Sequence, residues 1–241
     1  MLEVRELRKR YKDQKVIADI SFTAQPNDSI ALIGPNGAGK STLIKILATL
    51  TTPDSGEVFL EQIDLLKDPR SASIQIGYLG HTAALHPWMS VSEQLDFVAQ
   101  ISNLPANSSK EALDRCGLGE YRLKLCGSLS YGVKKRVGLA QALMKKPRLL
   151  LLDEPFAGLD PRQAKRLHEI LQAKTDDTVT LISTHHLHEV ALFCNRAISV
   201  HSGVITFDQA ITPGDSITEL ISASFVREHR SQFTQVTEGE R

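Results

Sequence analysis

A chain of 241 residues with 41 % hydrophobic and 23 % charged residues is long enough to bury a substantial core, which excludes a disordered segment and favours a single folded unit. Its 28 Lys and Arg balance 28 Asp and Glu, leaving no basic excess for nucleic acid; the longest charge-free stretch, residues 71–92, is broken by Gln75, His81 and His86 and cannot span a membrane. Six of the first ten residues are charged where a secretion signal needs an apolar core, and Cys116, Cys126 and Cys194 are odd in number and far apart, so a cytoplasmic chain with scattered thiols is expected.

In chain order, residues 16–24 and 29–33 read as strands, the second almost wholly apolar as a buried parallel strand should be. A Gly-rich loop follows, then a helix over 41–50 with Leu43, Ile44, Leu47 and Leu50 at spacings of three and four, stopped by the turn residues of 53–56. Residues 74–79 form the next predicted strand. After it the period turns helical from about residue 82, with Val91, Leu95, Val98 and Ile101 on one face, a short helix over 111–116 and a longer one over 131–145. No strand is expected between 82 and 147. Strands return at 148–152, 178–183, 197–201 and 204–207, with helices at 161–174 and 187–194; beyond 209 a turn at 213–215, a helix at 217–225 and a polar end close the chain. The pattern is α/β, with a sheet core from residues 1–81 and 148–210, a helical subdomain inserted at 82–147, and a tail at 211–241.

Gly34-Pro35-Asn36-Gly37-Ala38-Gly39-Lys40-Ser41 fits G-x-x-x-x-G-K-[ST] between an apolar strand and a helix, with Thr42 in the helix's first turn. Glycines let such a loop curl until backbone N–H groups converge on phosphate oxygens, the helix N-terminus adds positive potential, Lys40 reaches the β- and γ-phosphates, and the Ser41 hydroxyl can ligate Mg2+. The run Leu149-Leu150-Leu151-Leu152-Asp153-Glu154 ends a buried strand in two acids, at the edge where open α/β sheets bind ligands. Neighbouring strand residues face opposite ways, so the two acids differ in role: Asp153 is the expected Mg2+ partner and Glu154 the base that polarises an attacking water. Ser130 and Gly132 open the helix at 131 with a hydroxyl and bare N–H groups, a second anion site in a chain with one P-loop.

Leu129-Ser130-Tyr131-Gly132-Val133-Lys134-Lys135-Arg136 resembles the signature motif of ATP-binding cassette (ABC) ATPases, and the resemblance extends over about residues 1–210. It implies a P-loop core with an antiparallel β portion near the N-terminus. It further implies Gly158-Leu159-Asp160 as the loop after the acids, His185 as the histidine that contacts the γ-phosphate, and Tyr11 as the aromatic that stacks on adenine. His186 and His188 are expected at the surface. Asp160 before Pro161 is also a good helix N-cap. Two departures stand out: Gly80-His81-Thr82 replaces the usual Gln where the insertion begins, leaving His81 to sense Mg2+ or water, and Tyr131 and Val133 replace Gly and Gln of the signature. The resemblance implies a head-to-tail dimer, either of this chain or with a second cassette, holding two ATP molecules between Lys40 of one subunit and Ser130 of the other. A separate membrane transport subunit would be the partner, on the cytoplasmic face, with no role for nucleic acid. The stretch Ile76-Gly77-Tyr78-Leu79-Gly80-His81 is similar to the ATPase of the cytochrome c maturation haem exporter, and residues 137–143 with Leu159-Asp160-Pro161 to multidrug-type exporter ATPases.

Overall fold

The computed structural model describes residues 1–172, 177–185 and 193–212. Ten strands form one mixed sheet in the order β5-β4-β1-β2-β10-β9-β3-β8-β7-β6. β1 (Leu2–Tyr11), β2 (Gln14–Ala24), β4 (Ser55–Leu60) and β5 (Ile63–Asp64) pair antiparallel. β3 (Ser29–Ile33), β6 (Ile76–Leu79), β7 (Leu149–Asp153), β8 (Val179–Ser183) and β9 (Arg196–His201) run parallel, and β10 (Val204–Ala210) returns antiparallel to β9 and touches β2 at Val204 and Asp19.

Every residue of β3, β7 and β8 is buried, so both faces of these strands must be covered. The period of two divides the cover. Leu149 and Leu151 pack with Ile30, Leu32 and Leu181 against α1 (Lys40–Leu47), whereas Leu150 and Leu152 pack with Ala31, Ile33 and Ile182 on the other face. That second face is closed by α3 (Val91–Ile101), α4 (Ser108–Arg115), α5 (Tyr131–Met144) and α6 (Pro161–Gln172), through Leu95, Leu113, Val137 and Leu167. The loop after β3 and the acids ending β7 thus emerge on one edge of the sheet, between the two layers.

Several elements differ from the sequence reading. β1 and β4 were not expected, because their buried residues alternate with charges; in β1, Leu2, Val4 and Leu7 face inward across a bulge at Glu6, whose φ is +45°. A short helix, α2 (Pro69–Gln75), precedes β6 and buries only Ala72; Asp68 caps it by accepting from Ser71 N at 3.2 Å, with Pro69 in its first turn. Residue 82 does not open a helix: α3 starts at Val91, where Ser90 and Glu93 form a reciprocal capping box behind Pro87. α1 stops at Leu47, since Thr49 adopts φ +59°, and Leu50 is exposed rather than part of the apolar face. The predicted helix at 187–194, except its last two residues, and everything expected beyond residue 212 lie outside the described residues, as do His186 and His188. Between residues 82 and 147 one isolated bridge, Ser90 to Leu125, is the extent of β-pairing among the described residues.

Candidate active site

The loop between β3 and α1 is shaped by its glycines. Gly39 has φ +107°, and a Cβ there would fall 2.6 Å from the Val16 carbonyl oxygen, so neither conformation nor space admits a side chain. Gly39→Ala is therefore expected to weaken ATP binding by more than about tenfold and to lower the melting temperature, because the loop must move to relieve both conflicts; calorimetry with and without nucleotide would measure this. No side chain caps the N-terminus of α1, and its first turn faces a cavity of about 370 Å³. Asn36, Gly37, Ala38, Gly39, Lys40, Ser41 and Thr42 line that cavity together with His81, Glu154 and His185.

Lys40 is buried, and its Nζ donates to the carbonyl oxygens of Gly34 at 2.6 Å and Pro35 at 3.1 Å. Burial pulls this ammonium below its usual range, while the carboxylates of Glu154 and Asp153 pull it back up. Its hydrogen-bond partners are neutral carbonyls at the loop's mouth, so an anion of several charges would compete for it strongly. Asp153 Oδ1 accepts from Ser41 Oγ at 3.0 Å and from Ser183 Oγ at 2.6 Å. Register explains the second bond, since β7 and β8 are parallel with Asp153 opposite Ser183.

Glu154 follows in the left-handed region, φ +51°, before Pro155. Its N–H donates to Ser183 Oγ at 2.9 Å and lies 3.2 Å from the Ser183 carbonyl oxygen. Its side chain is 13 % exposed, and His185 Nδ1 lies 3.0 Å from Oε1 and 2.9 Å from Oε2, with the imidazole half exposed. A half-buried carboxylate held by an imidazole at the mouth of a cavity can accept a proton from a water there.

The donor set also fits Mg2+. This ion takes one or two hard oxygen ligands from the protein and completes its shell with water and phosphate oxygens. Ser41 Oγ at the cavity wall and Asp153 Oδ1, 3.0 Å behind it and buried, supply that pair. His81 lines the same cavity without belonging to any cluster of three or more His, Cys, Asp or Glu among the described residues.

Other expected site residues lie elsewhere. Tyr11 ends β1 opposite Gln14 in the β1–β2 hairpin, is exposed, and does not line the cavity; Val16 on the following strand does. Ser130, Gly132 and Asp160 are also absent from the cavity wall. Ser130 Oγ caps α5, accepting from Val133 N at 3.5 Å, and Asp160 Oδ1 caps α6, accepting from Gln163 N at 2.9 Å. Gly132 is pressed against the Gln163 side chain. Val133 is buried in the core rather than turned outward, and the Tyr131 hydroxyl donates to the His81 carbonyl oxygen at 3.3 Å while its ring lies beside Gly158.

Two participants escaped the sequence reading. Ser183, fully buried, pins Asp153 through its hydroxyl and the Glu154 amide through both its oxygens; its one trace in sequence is a hydroxyl ending an apolar strand just before Thr184-His185. Lys135, also buried, donates from Nζ to the Glu154 carbonyl oxygen at 3.0 Å.

Comparison with known proteins yields one family and many relatives. A family model described as "ABC transporter" matches residues 17–157. The chain is 36 % identical over 211 residues to an uncharacterized ABC transporter ATP-binding protein, YxlF, of Bacillus subtilis, spanning 86 % of this chain and 70 % of that protein. It is 32 % identical to the linearmycin resistance ATP-binding protein LnrL of the same organism, over 84 % of this chain and 67 % of that one. It is also 32 % identical to the phosphonates import ATP-binding protein PhnC of Lactiplantibacillus plantarum, over 89 % of this chain and 91 % of that one. Among solved structures, an ATP-binding subunit of an ABC transporter superposes with a TM-score of 0.84 at 28 % identity, covering 93 % of this chain and 99 % of that one. The dimeric cassette MJ0796 superposes at 0.81 with 22 % identity, covering 88 % of this chain and 99 % of that one.

Proposed function

The chain belongs to the ABC transporter family of ATP-binding proteins, and on that footing we propose that it is the ATP-hydrolysing subunit of an exporter, working as a head-to-tail pair beneath a separate membrane-spanning subunit. It is an ATPase of the cassette type, with ATP hydrolysis coupled to transport. No described helix is long and apolar enough to cross a membrane. Relatives that match most of this chain are themselves named as ATP-binding proteins, which supports a division of labour with a membrane partner and a place on the cytoplasmic face.

The observation that carries the mechanism is the convergence of Lys40, Ser41, Glu154 and His185 on one cavity at the edge of the sheet, with the buried Asp153 bonded to Ser41 behind its wall. In this reading the loop's N–H groups and Lys40 Nζ hold the β- and γ-phosphates. Ser41 and Asp153 hold Mg2+, which when bound neutralises phosphate charge. Glu154 takes a proton from the attacking water at its carboxylate, and His185 keeps that carboxylate oriented and faces the γ-phosphate. Ser130 and Gly132 of the second subunit close the site from the other side, with Asp160 at the same junction. Tyr11 reaches the adenine from its hairpin. Closing and opening of the pair follow from the different affinity of the two states for ATP and ADP.

His81 is assigned a sensing role toward water or Mg2+ at the root of the helical insertion. His81→Gln is expected to leave ATP affinity within about twofold and to change turnover or its stimulation by the membrane subunit. Loss of folding stability instead would mark His81 as a packing residue; its exposure argues against that.

Export rather than import is favoured by the multidrug-like residues 137–143. The narrower reading, haem export for cytochrome c maturation, rests on Gly80-His81 and its flanks. Co-expression with a candidate membrane subunit, followed by ATP-driven flux in inverted vesicles, tests both: accumulation inside supports export, ATP-driven depletion import. Loss of c-type cytochromes on deletion, without drug sensitivity, selects the haem branch.

A further inference from the structure

Lys135 is the most deeply buried cation among the described residues, with 1 % of its surface exposed. It sits on α5, five residues after Ser130, and its Nζ lies over the Tyr131 ring, 5.7 Å from the ring centre. Nζ donates to the Glu154 carbonyl oxygen at 3.0 Å and the Gly80 carbonyl oxygen at 3.4 Å. A lone ammonium with one strong bond and one long one gains little by leaving water, and burial pulls its pKa down to about 8 even though Asp153 and Glu154 oppose the fall. Apolar packing of the same shape would fill this position at lower cost. What the ammonium does uniquely is join three backbones: the signature helix, the end of β7, and the segment that leads to His81.

The join acts on an unusual residue. Glu154 is a non-glycine residue at φ +51°, a conformation that persists only where surroundings dictate it. On one side its N–H is fixed by both oxygens of Ser183; on the other its carbonyl is fixed by Lys135. With both peptide groups tied, the carboxylate is aimed at the cavity and at His185. Without Lys135 one tie is lost, and the Glu154–Pro155 segment can rotate.

We propose that Lys135 is a positioning residue for ATP hydrolysis, holding the Glu154 and Gly80 carbonyls so that the Glu154 carboxylate and the His81 segment keep a fixed place relative to the helix that carries Ser130. The inference rests on the hydrolytic role proposed for Glu154 and names a group acting through it. A structural role alone would lower stability or disturb nucleotide binding; a positioning role lowers kcat and spares KM.

The test uses the full chain, with its membrane subunit if turnover depends on it, and four proteins: parent, Lys135→Met, Glu154→Gln and the double variant. Lys135→Met keeps length and apolar contact and removes the donor. It is expected to lower kcat at least tenfold, with KM for ATP within twofold. In the Glu154→Gln background, under single-turnover conditions, the same change is expected to cost less than twofold, because the group through which it acts is already gone. Parental kcat in Lys135→Met, a loss confined to KM, or losses that multiply in the double variant would each overturn the proposal. Should Lys135→Met fail to fold by thermal melt, Lys135→Gln takes its place in the same cycle under the same criteria. Parental turnover in Glu154→Gln by itself would instead remove the mechanism on which the inference rests, so the two failures are told apart.

Discussion

Glu154→Gln is expected to bind ATP as the parent does and to hydrolyse it at least about 10²-fold more slowly. The amide copies the size of the carboxylate, and both ties on the residue's backbone, to Ser183 and to Lys135, involve main-chain atoms that the change leaves alone. What disappears is the acceptor for the water's proton. The contact with His185 is also altered: an amide offers one acceptor and one donor group where the carboxylate presents Oε1 as acceptor at 3.0 Å from Nδ1 and Oε2 at 2.9 Å. Binding of the phosphates depends on Lys40 and the loop, which are unchanged. The variant should therefore accumulate with ATP bound and, in the proposed assembly, as a closed pair visible by size-exclusion chromatography. Equal turnover of variant and parent would remove Glu154 from its assigned role. A fall in ATP affinity matching the fall in rate would show instead that the carboxylate serves binding.

Much of this architecture was legible in the residues, for identifiable reasons. β3, β7 and β8 are buried on both faces, so their apolar runs are continuous, and each ends where a chemically distinctive group begins: the loop at Gly34, the acids at Asp153, and His185. The helix at Tyr131–Met144 was equally readable, since Val133, Val137, Ala140 and Met144 lie on its buried side. The antiparallel strands were harder. β1 and β4 bury one face and present Arg5, Arg8 and Glu57 on the other, where Arg5 pairs with Glu3 along its own strand and with Glu57 across, and Arg8 with Asp19 of β2, and a bulge at Glu6 breaks the alternation that marks a half-buried strand. Ser183 and Lys135 were hidden for a further reason. Neither belongs to a local pattern with chemistry of its own; Ser183 meets Asp153 because the β7–β8 register brings them level, and Lys135 meets Glu154 because α5 packs across the end of β7. Contacts of that kind are properties of packing.

Two individually dead variants are expected to revive each other, because the proposed active site is divided between chains. The proposed pairing gives the reason: Lys40 lines the cavity, whereas Ser130, Gly132 and Asp160 of the same chain do not, and in the proposed pair the N-terminus of α5 offers its N–H groups to the phosphate held by the other subunit. Lys40→Ala removes the charge that holds the phosphates. Ser130→Arg blocks the signature end; Ser130 is exposed, so the larger side chain can be accommodated, at the cost of a cap worth about 1 kcal/mol. Each variant alone forms pairs in which both sites carry a lesion. In a mixed pair one site joins the intact Lys40 of the second variant to the intact Ser130 of the first, and the other site collects both lesions. Random exchange makes half of all pairs mixed, with one sound site in two, so recovery should approach about a quarter of parental ATPase activity if sites act independently and fall below that if they are coupled. Exchange is verified by differently tagged subunits, with the membrane subunit present where pairing is weak. Activity clearly above either variant alone supports the shared site. No recovery despite proven mixing leaves a self-contained site or strict dependence on two sound sites, and a covalently linked pair carrying a single lesion decides between them: half of parental activity belongs to independent self-contained sites, and none to sites that must fire together.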